Sequence, residues 1–344
     1  MSAGAVPRVS VVMPVHNGAE YVRAAVESVF AQTIVDLELL AIDDGSTDRT
    51  GEILAAIPDP RLRVIRFPAQ RGLVAALNLG FAESRSAFIA RMDADDVCLA
   101  QRFARQLAFM EAHPDVAICG TWTRLFGRRS GVHRVATDPA GIHARLFFGG
   151  AIDHPSALLR RAFIEAHGLE YDEAFRHAED FDFFIRAAGL GRLANLPEVL
   201  LLHRLHAGQV SVRHRDEQLA AHARLLARQL RELVPADAAE EDFHVRLAMG
   251  RLAGGEFERA ERWLLRLERA NSTKGRYDRT AFSREIRQCW FRAHRAAATG
   301  VRTLCSYWRS SLGTFRDIGV GRHIVLASKA MLGGSGVAGF GTVE

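Results

Sequence analysis

Carboxylate-bearing residues cluster where a short apolar run ends, in the segment Asp93-Ala-Asp-Asp96 after Phe88-Ile-Ala. Clustered carboxylates repel one another unless a cation lies among them, and oxygen ligands suit Mg²⁺ or Mn²⁺. In an extended segment Asp93 and Asp95 point the same way, so both could face one ion. The alternative is a solvated acidic turn that caps a helix beginning near Leu99.

A second acidic cluster is Ile42-Asp-Asp-Gly-Ser-Thr-Asp48. Asp43 and Asp44 could accept hydrogen bonds from a nucleotide base or a ribose. The alternative for this segment is a turn in which Ser46, Thr47 or Asp48 caps the next helix. One of the three is expected to cap, but capping does not explain the acid pair.

Two further motifs carry charged groups beside predicted helix starts. Glu179-Asp180 precedes an amphipathic pattern, so a general base could lie there; the alternative is an acid that favours the helix dipole. Arg71 precedes Gly72 and a helical stretch containing Asn78. An arginine near a helix N-terminus suits a pyrophosphate; the alternative is an ordinary surface arginine.

The elements around these motifs alternate between strand and helix. Predicted strands are Val9–Val15, Leu37–Ile42, Leu62–Phe67, Phe88–Met92 and Val116–Trp122, and predicted helices are Glu20–Ala31, Arg49–Ala56, Val74–Ser84 and Leu99–His113. This alternation predicts an α/β fold with a mainly parallel central sheet. Ligands of open α/β sheets bind beyond the carboxyl ends of the strands. There lie Pro14-Val-His-Asn17, the 43–48 turn and the 93–96 cluster, which we expect to form one site.

The chain becomes less regular after Ala140. A short strand (Ser156–Leu159), a helix (Asp180–Ala188) and a further strand (Val199–Leu205) are predicted, and later helices are Asp216–Leu233 and Phe257–Glu268. We predict a catalytic domain over residues 1–211, a helical C-terminal region over 212–332 and a flexible Gly-rich tail over 333–344.

The composition limits the class of protein, the kinds of metal site and the cellular compartment. The 344 residues are 48% hydrophobic and 25% charged, which is typical of a globular protein. The four cysteines lie far apart and form no CxxC pair, so no zinc site of that kind is predicted. Neither a signal peptide nor an 18-residue apolar run is present. We therefore expect no transmembrane helix and a cytoplasmic location.

Taken together, the motifs resemble glycosyltransferase family 2, the inverting enzymes with a GT-A fold. The resemblance rests on Val11-Val-Met-Pro-Val-His-Asn17, the 42–48 turn, Arg71-Gly72…Asn78, Asp93–Asp96 and Glu179-Asp180. It extends over about residues 8–211. His203-Arg-Leu-His-Ala-Gly-Gln-Val-Ser211 is similar to the family's Tyr-Arg-x-His-x-x-Gln-x-Ser segment, with His203 in place of tyrosine.

The resemblance implies a role for each motif. The donor would be a nucleotide sugar with a base of the uracil type, and Asp180, with Glu179 beside it, would supply the catalytic base. Asp95 would bind Mn²⁺ or Mg²⁺, together with Asp93 and His206. The donor-binding set would be Pro14, Val15, His16, Asn17, Asp43, Asp44, Arg71, Asn78, Asp93, Ala94 and Arg204. His154 matches a segment near the sugar pocket; the alternative is a structural histidine before Pro155.

Such a site predicts metal-dependent sugar transfer with inversion, to a saccharide or lipid-linked acceptor in cell-surface polysaccharide or glycolipid synthesis. A nucleotidyltransferase usually needs a Gly-rich basic loop after the first strand, and a dinucleotide-dependent oxidoreductase needs GxGxxG there; neither is present. A non-catalytic sugar-binding module would be expected to lack some of Asp93, Asp95 and Asp180. No nucleic-acid-binding motif is present, and we expect no nucleic-acid partner.

The segment 284–329 is basic and has an apolar periodicity. Nine basic residues stand against two acids, and an apolar stripe runs at helical spacing through Ala297, Val301, Leu304, Cys305, Trp308, Leu312 and Phe315. An apolar face bordered by arginines suits an anionic membrane surface, so a peripheral contact with the inner face of the membrane is one hypothesis. The alternative is that the stripe packs on the catalytic domain.

Overall fold

The computed structural model describes residues 6–209, 214–253, 255–297, 301–313 and 318–331. These residues divide into two compact units. One consists of residues 6–139 and 151–221, and the other of residues 140–150 and 222–331. No helix among the described residues has both the length and the apolar character needed to cross a membrane.

The first unit is built on a mixed, mostly parallel sheet with the strand order β3-β2-β1-β4-β8-β6-β9-β5, and β7 pairs with β6. The strands are β1 (Val9–Val15), β2 (Leu37–Asp43), β3 (Leu62–Arg66), β4 (Phe88–Arg91), β5 (Val97–Cys98), β6 (Val116–Gly127), β7 (Gly131–His133), β8 (Leu158–Arg160) and β9 (Arg192–Leu205). The expected α/β fold with a mainly parallel central sheet is therefore confirmed.

The central strands are buried along their whole length. Every residue of β1 and of β2 is buried, as expected for parallel strands that are covered on both faces. β1 pairs in parallel with β2 on one side and with β4 on the other. Their carboxyl ends therefore lie at one edge of the sheet, and the polar segments that follow them meet there.

Helices follow the strands of this unit. They are α1 (Val22–Phe30), α2 (Thr50–Ala55), α3 (Leu73–Glu83), α4 (Arg102–Ala112), α6 (Arg161–Ala166) and α7 (Glu179–Leu190). In α3, Gly80 allows the helix to lie close to β1, because a Cβ there would overlap the side chain of Val12. The acidic cluster does not cap α4, whose N-cap is Gln101, so the capping interpretation of that cluster was wrong.

The second unit is helical, as expected for a C-terminal appendage. Its helices are α5 (Pro139–Leu146), α8 (Arg215–Leu233, which begins in the first unit), α9 (Ala238–Ala248), α10 (Phe257–Lys274), α11 (Arg279–Ala296), α12 (Val301–Arg309) and α13 (Val320–Met331). Ala144, Phe147 and Phe148 are buried in the same apolar cluster as Phe243 and Trp290. The first unit therefore omits residues 140–150 and ends at 221, whereas the sequence placed its boundary at 211 without this interruption.

The predicted apolar stripe does not form one continuous face. Leu312 is buried in the cluster of the second unit and Leu304 packs against it, whereas Cys305 and Trp308 are exposed. Leu304, Cys305 and Trp308 lie in α12, whereas Ala297 follows α11 and Leu312 follows α12. Val301 and Phe315 lie outside the residues whose side chains the structure describes, so the stripe is tested only in part.

Candidate active site

The acidic segment after β4 meets the segment after β9. Asp95 Oδ2 lies 2.8 Å from His206 Nε2. The backbone N–H of Gly208 lies 3.2 Å from His206 Nδ1 and helps to hold the ring in this orientation. Burial and the charge of Asp93 raise the pKa of Asp95, and the hydrogen bond with His206 opposes them. One carboxylate and one imidazole are therefore held face to face.

The neighbouring carboxylate, Asp96, holds the end of β9. Its Oδ1 accepts the backbone N–H of Arg204 at 2.8 Å, and its Oδ2 lies 3.0 Å from His203 Nδ1. Burial raises the pKa of Asp96 to about 6. Burial lowers the pKa of His203, but the hydrogen bond and charge of Asp96 and the charge of Asp93 outweigh it and raise the pKa to about 9. The histidine that replaces the family's tyrosine therefore supplies a positive charge at neutral pH.

Arg204 lies between two aromatic rings. Its guanidinium carbon is 4.5 Å from the centroid of Tyr21 and 4.4 Å from that of Phe126, at distances typical of cation–π contact. Its Nε donates to the backbone carbonyl of Asp95 over 2.8 Å. Arg204 thus holds the main chain of the acidic segment and leaves a positive group beside it.

A buried arginine, Arg91, interacts with acids of both the segment after β4 and the start of α7. Arg91, at the end of β4, pairs with Asp93. Burial lowers the pKa of Arg91, but the charge and hydrogen bond of Asp93 outweigh it and raise the pKa above its ordinary value. The charge of Arg91 also lowers the pKa of Glu179, a residue of the other acidic pair. The acids at the end of β4 and those at the start of α7 therefore act on one buried cation.

Glu179 and Asp180 lie in the first turn of α7. Glu179 is buried, and burial together with the charge of Asp180 raises its pKa to about 7. Asp180 is half-buried, and its Oδ1 accepts the N–H of Phe181 at 2.8 Å. Their position agrees with the helix-dipole interpretation, because acids in a first turn are favoured by the dipole; the role of a general base stays a prediction.

His154 and Tyr171 form a buried polar pair beside these acids. His154 Nε2 lies 2.7 Å from the Tyr171 hydroxyl. Burial and the charge of Arg91 lower the pKa of His154 well below its ordinary value. Burial raises the pKa of Tyr171, to which the charges of Asp180 and Glu179 contribute. The buried, neutral His154 matches the structural interpretation of this residue.

The segment after β1 is tied to the turn after β2. Asn17, which has a positive φ of 51°, accepts the N–H of Thr47 at 2.8 Å through its side-chain oxygen. His16 Nδ1 lies 2.8 Å from the carbonyl of Asp44. The side chains of Pro14 and Val15 are buried, so only their main chain could reach a ligand. His16 and Asn17 are exposed at this edge.

The two acids at the end of β2, Asp43 and Asp44, have different roles. Asp43 is fully buried, accepts the N–H of Ser46 at 2.9 Å and faces the Arg66 guanidinium. Asp43 shapes the turn, so its assignment to the donor-binding set is corrected. Asp44 accepts the backbone N–H groups of Arg71 and Gly72 at 2.6 and 2.9 Å. The carboxylate of Asp44 fixes the start of α3 and keeps lone pairs for a base.

The cap expected for α2 from Ser46, Thr47 or Asp48 was wrong, because the N-cap is Arg49 and makes no side-chain capping hydrogen bond. Asp48 Oδ1 instead accepts the N–H of Thr50, the first residue of α2, at 2.9 Å. Arg71 is exposed, and its guanidinium carbon lies 4.8 Å from the centroid of the Phe67 ring.

Asn78 has a different role from the one expected. Its amide donates to the carbonyl of Tyr171 and accepts the N–H of the same residue, both at 2.9 Å. Asn78 is thus a clamp on the main chain of Tyr171, and the structure gives it this structural role in place of the expected donor contact.

Comparison with known proteins agrees with this geometry. A family model described as Glycosyl transferase family 2 matches residues 10–166. The succinoglycan biosynthesis protein ExoO of Rhizobium meliloti is 31% identical over 241 residues, which are 65% of this chain and 69% of that protein. The chain belongs to glycosyltransferase family 2. It is therefore an enzyme of the glycosyltransferase class.

Solved structures show that this glycosyltransferase has the GT-A type of fold. S. aureus TarS 1-349 in complex with UDP-GlcNAc superimposes with a TM-score of 0.58 at 18% identity, covering 87% of this chain and 89% of that one. The mannosyltransferase PcManGT from Pyrobaculum calidifontis, in complex with GDP-Man and Mn²⁺, gives a TM-score of 0.52 at 15% identity, covering 95% of this chain and 88% of that one.

Sequence reasoning missed the part that three residues play in the arrangement of the candidate site. Arg91 could have been noticed as a charge at the end of an otherwise apolar strand. Asp96 was part of the acidic cluster, but its bonds to β9 could not be read from spacing. Tyr171 comes from an irregular segment and carried no signal. Ala94 lies between the acids and is half-buried.

Proposed function

We propose that this glycosyltransferase moves a sugar, with inversion, from a nucleotide-diphosphate sugar to a hydroxyl of a saccharide or lipid-linked acceptor. The proposed donor is a UDP-sugar, and the proposed cofactor is Mn²⁺ or Mg²⁺. The observation that carries the proposal is the grouping around Arg91. Arg91 pairs with Asp93, two residues before the Asp95 that faces His206, and its charge also acts on Glu179 beside the proposed base.

The donor set fits a divalent ion. Ligands at right angles around an ion with bonds of about 2.1 Å lie roughly 3 Å apart, close to the 2.8 Å between Asp95 Oδ2 and His206 Nε2. An imidazole beside carboxylates favours Mn²⁺ over Mg²⁺, and the similar PcManGT complex contains Mn²⁺. Asp93 lies next in this segment, but its partner is Arg91. When bound, the ion would neutralise charge on the leaving diphosphate.

Asp180 is the proposed base. As the bond between the anomeric carbon and the diphosphate oxygen breaks, the acceptor oxygen bonds to the opposite face of that carbon. The acceptor's proton passes to the Asp180 carboxylate. Glu179, largely enclosed beside it, would tune the proton affinity of Asp180 through its own charge. An α-linked donor would thus give a β-linked product.

The donor would lie across the strand ends. Asp44 and the exposed His16 and Asn17 would contact the base, and Arg71 would contact the nucleotide. Arg204, with its guanidinium fixed between two rings, would present N–H groups to the pyrophosphate. UDP is favoured because the similar TarS complex contains UDP-GlcNAc, although the PcManGT complex contains GDP-Man. ExoO, a succinoglycan biosynthesis protein, supports a role in polysaccharide synthesis.

A peripheral membrane contact is retained as a proposal, on a revised surface. Trp308 stacks on His323 with ring centroids 4.8 Å apart, and Trp308, Ile324 and Val325 are exposed by 40%, 61% and 51%. The exposed Arg309 follows Trp308. Exposed apolar groups beside a cation suit an anionic lipid surface, and a lipid-linked acceptor would lie at such a surface.

A donor-hydrolysis screen tests the activity. Full-length protein is incubated with UDP- and GDP-sugars and Mn²⁺ or Mg²⁺, and released nucleoside diphosphate is measured. We expect release from one or a few UDP-sugars, dependent on metal and lost in Asp180→Asn. With an acceptor in hand, NMR of the new linkage reports the anomer. Release that is equal in wild type and Asp180→Asn, or a product that retains the donor's anomeric configuration, would overturn the proposal.

A further inference from the structure

A second cluster of ligand-type side chains lies outside the acidic site. His177 precedes α7, His214 immediately precedes α8, and Glu217 lies in the first turn of α8. Each offers one atom to a group in which all the atoms lie within 4.8 Å of one another. The carboxylate of Glu217 faces both rings, with Oε1 3.1 Å from His214 Nδ1 and Oε2 3.4 Å from His177 Nε2.

One ligand of this cluster, His177, is almost fully buried. The His177 side chain is 7% exposed. Its Nε2 makes no hydrogen bond within the part of the chain that the structure describes. A buried polar atom in this state is unfavourable and calls for an explanation, of which a bound ion is one. Burial and the neighbouring His214 lower the pKa of His177, which favours the neutral ring that binds metals.

The three side chains differ in how firmly they are held: His177 is buried, whereas His214 and Glu217 are well exposed. Gln218 Nε2 donates to the His177 carbonyl over 3.1 Å, and His177 has a positive φ of 68°. The His214 and Glu217 side chains are 40% and 65% exposed. The two imidazoles stack at 4.3 Å with planes 10° apart, so His214 must rotate for both nitrogens to meet one ion. Its exposure leaves room for that rotation.

We propose that His177, His214 and Glu217 form a second metal site, which binds a transition-metal ion of the Zn²⁺ class. Two imidazole nitrogens and one carboxylate suit Zn²⁺, with water as a fourth ligand. Ligand atoms around a tetrahedral ion with bonds of about 2.0–2.1 Å lie roughly 3.3 Å apart. The two Glu217 oxygens lie at similar distances from the rings, with Oε1 3.1 Å from His214 Nδ1 and Oε2 3.4 Å from His177 Nε2. Mg²⁺ prefers oxygen ligands and would not compete well.

The site would have a structural effect. His177 stands two residues before Glu179, so an ion there would link the turn before α7 to the start of α8. The start of the helix that carries Glu179 and Asp180 would then be held at a fixed point. This role does not depend on which sugar or nucleotide the enzyme uses.

Metal binding by full-length protein tests the site. The protein is stripped of metal and titrated with Zn²⁺ against a chromophoric chelator, and with Co²⁺ by visible absorption. Asp95→Asn serves as the background, because it weakens the proposed first site. In that background we expect one ion to bind with the absorption of tetrahedral Co²⁺. Adding His214→Gln or Glu217→Gln should weaken Zn²⁺ binding at least tenfold and abolish the Co²⁺ band.

His113→Gln, at an exposed histidine elsewhere, is the matched control and should bind as the background does. Both test positions are well exposed, and circular dichroism confirms that each variant is folded. The proposal is overturned if both ligand variants keep the background affinity, or if Asp95→Asn alone removes all Zn²⁺ binding.

Discussion

The Oδ2 atom of Asp95 lies 2.8 Å from the Nε2 atom of His206, although 111 positions separate the two residues. Strand pairing explains the contact. β5 follows Asp95 and pairs antiparallel with β9, with Val97 opposite Leu202. His206 comes directly after β9. The short β5 therefore places the acidic segment against the end of β9, and the carboxylate and the imidazole meet.

This pair predicts metal dependence. Asp95→Ala should abolish transfer with the fold intact, and His206→Gln should raise the metal concentration needed for half-maximal activity by about tenfold or more. Activity is measured against Mn²⁺ concentration, with circular dichroism as the fold control. Asp36→Ala, at an exposed acid away from the site, should behave as wild type. Full turnover in excess EDTA would contradict the prediction.

Substitutions of the two acids at the start of α7 should have unequal effects on kcat. Asp180→Asn should keep donor binding and lose at least about a hundredfold in kcat, the usual scale for a general base. Glu179→Gln resembles the protonated form of a carboxyl whose pKa burial raises to about 7. It should cost less and remove an inflection near pH 7 from the pH–rate profile. If Glu179→Gln is the more damaging change, the two acids are assigned the wrong way round.

The sequence predicted the strand ends well because β1 and β2 are continuous apolar runs, and such runs indicate buried parallel strands. Asp95 was noticed because it closely follows an apolar run, and the 179–180 pair because it directly precedes an amphipathic helical pattern. The contacts of Asp96 with β9 were not predictable, because they depend on pairing between segments more than 100 positions apart. Only the family resemblance pointed to His206.

Two kinds of error have physical causes. Asn78 and Asp43 were assigned to the donor because polar residues near strand ends face the site in general. Here each side chain is occupied by main-chain groups of its own unit, which no local pattern reveals. Helix α5 was missed because its eight residues, Pro139–Leu146, include a proline and a glycine. Its burial comes from packing in the helical unit, beyond the reach of a local pattern.

The clamp at Asn78 predicts a loss of stability without a loss of donor affinity. Asn78→Ala leaves the N–H and carbonyl of Tyr171 without their side-chain partner, at a cost of about 1–3 kcal/mol. Urea unfolding gives the free energy of unfolding, and the donor KM is measured in parallel. A tenfold rise in donor KM with unchanged stability would return Asn78 to the donor-binding set.

His203 predicts a pH-dependent contribution to stability. Its pKa is raised from 6.5 to about 9, so the folded protein holds the proton more tightly. The stabilisation is complete below pH 6.5 and is lost as the pH rises through about 9. The unfolding free energies of wild type and His203→Gln should therefore converge by an amount on the order of a few kcal/mol over that range, at about 1.4 kcal/mol per tenfold change in proton affinity.

Urea unfolding at pH 6.5 and 9.5 in EDTA measures this convergence. EDTA removes any metal from the neighbouring carboxylates, so that the difference between the two pH values reports proton binding and not metal binding. His167→Gln, at an exposed histidine, controls for titration of any imidazole and should differ from wild type by a constant amount. A constant difference for His203→Gln as well would mean that its pairing with Asp96 does not contribute to stability.

The exposed apolar residues of the helical unit predict binding to anionic membranes. Truncation after residue 283 would cut α11 and remove buried side chains, including Trp290, from the core of the helical unit, so point variants are the better test. Trp308→Glu and Ile324→Glu put a carboxylate on the exposed surface, where an anionic membrane repels it. In liposome flotation at low salt, wild type should float with anionic vesicles and both variants should bind several-fold less.

Val35→Glu is the control for the change of charge. Val35 is 66% exposed and lies in the first unit, away from this surface, so the variant should still float. Equal flotation of all four proteins would mean that Trp308 and Ile324 are not the contact.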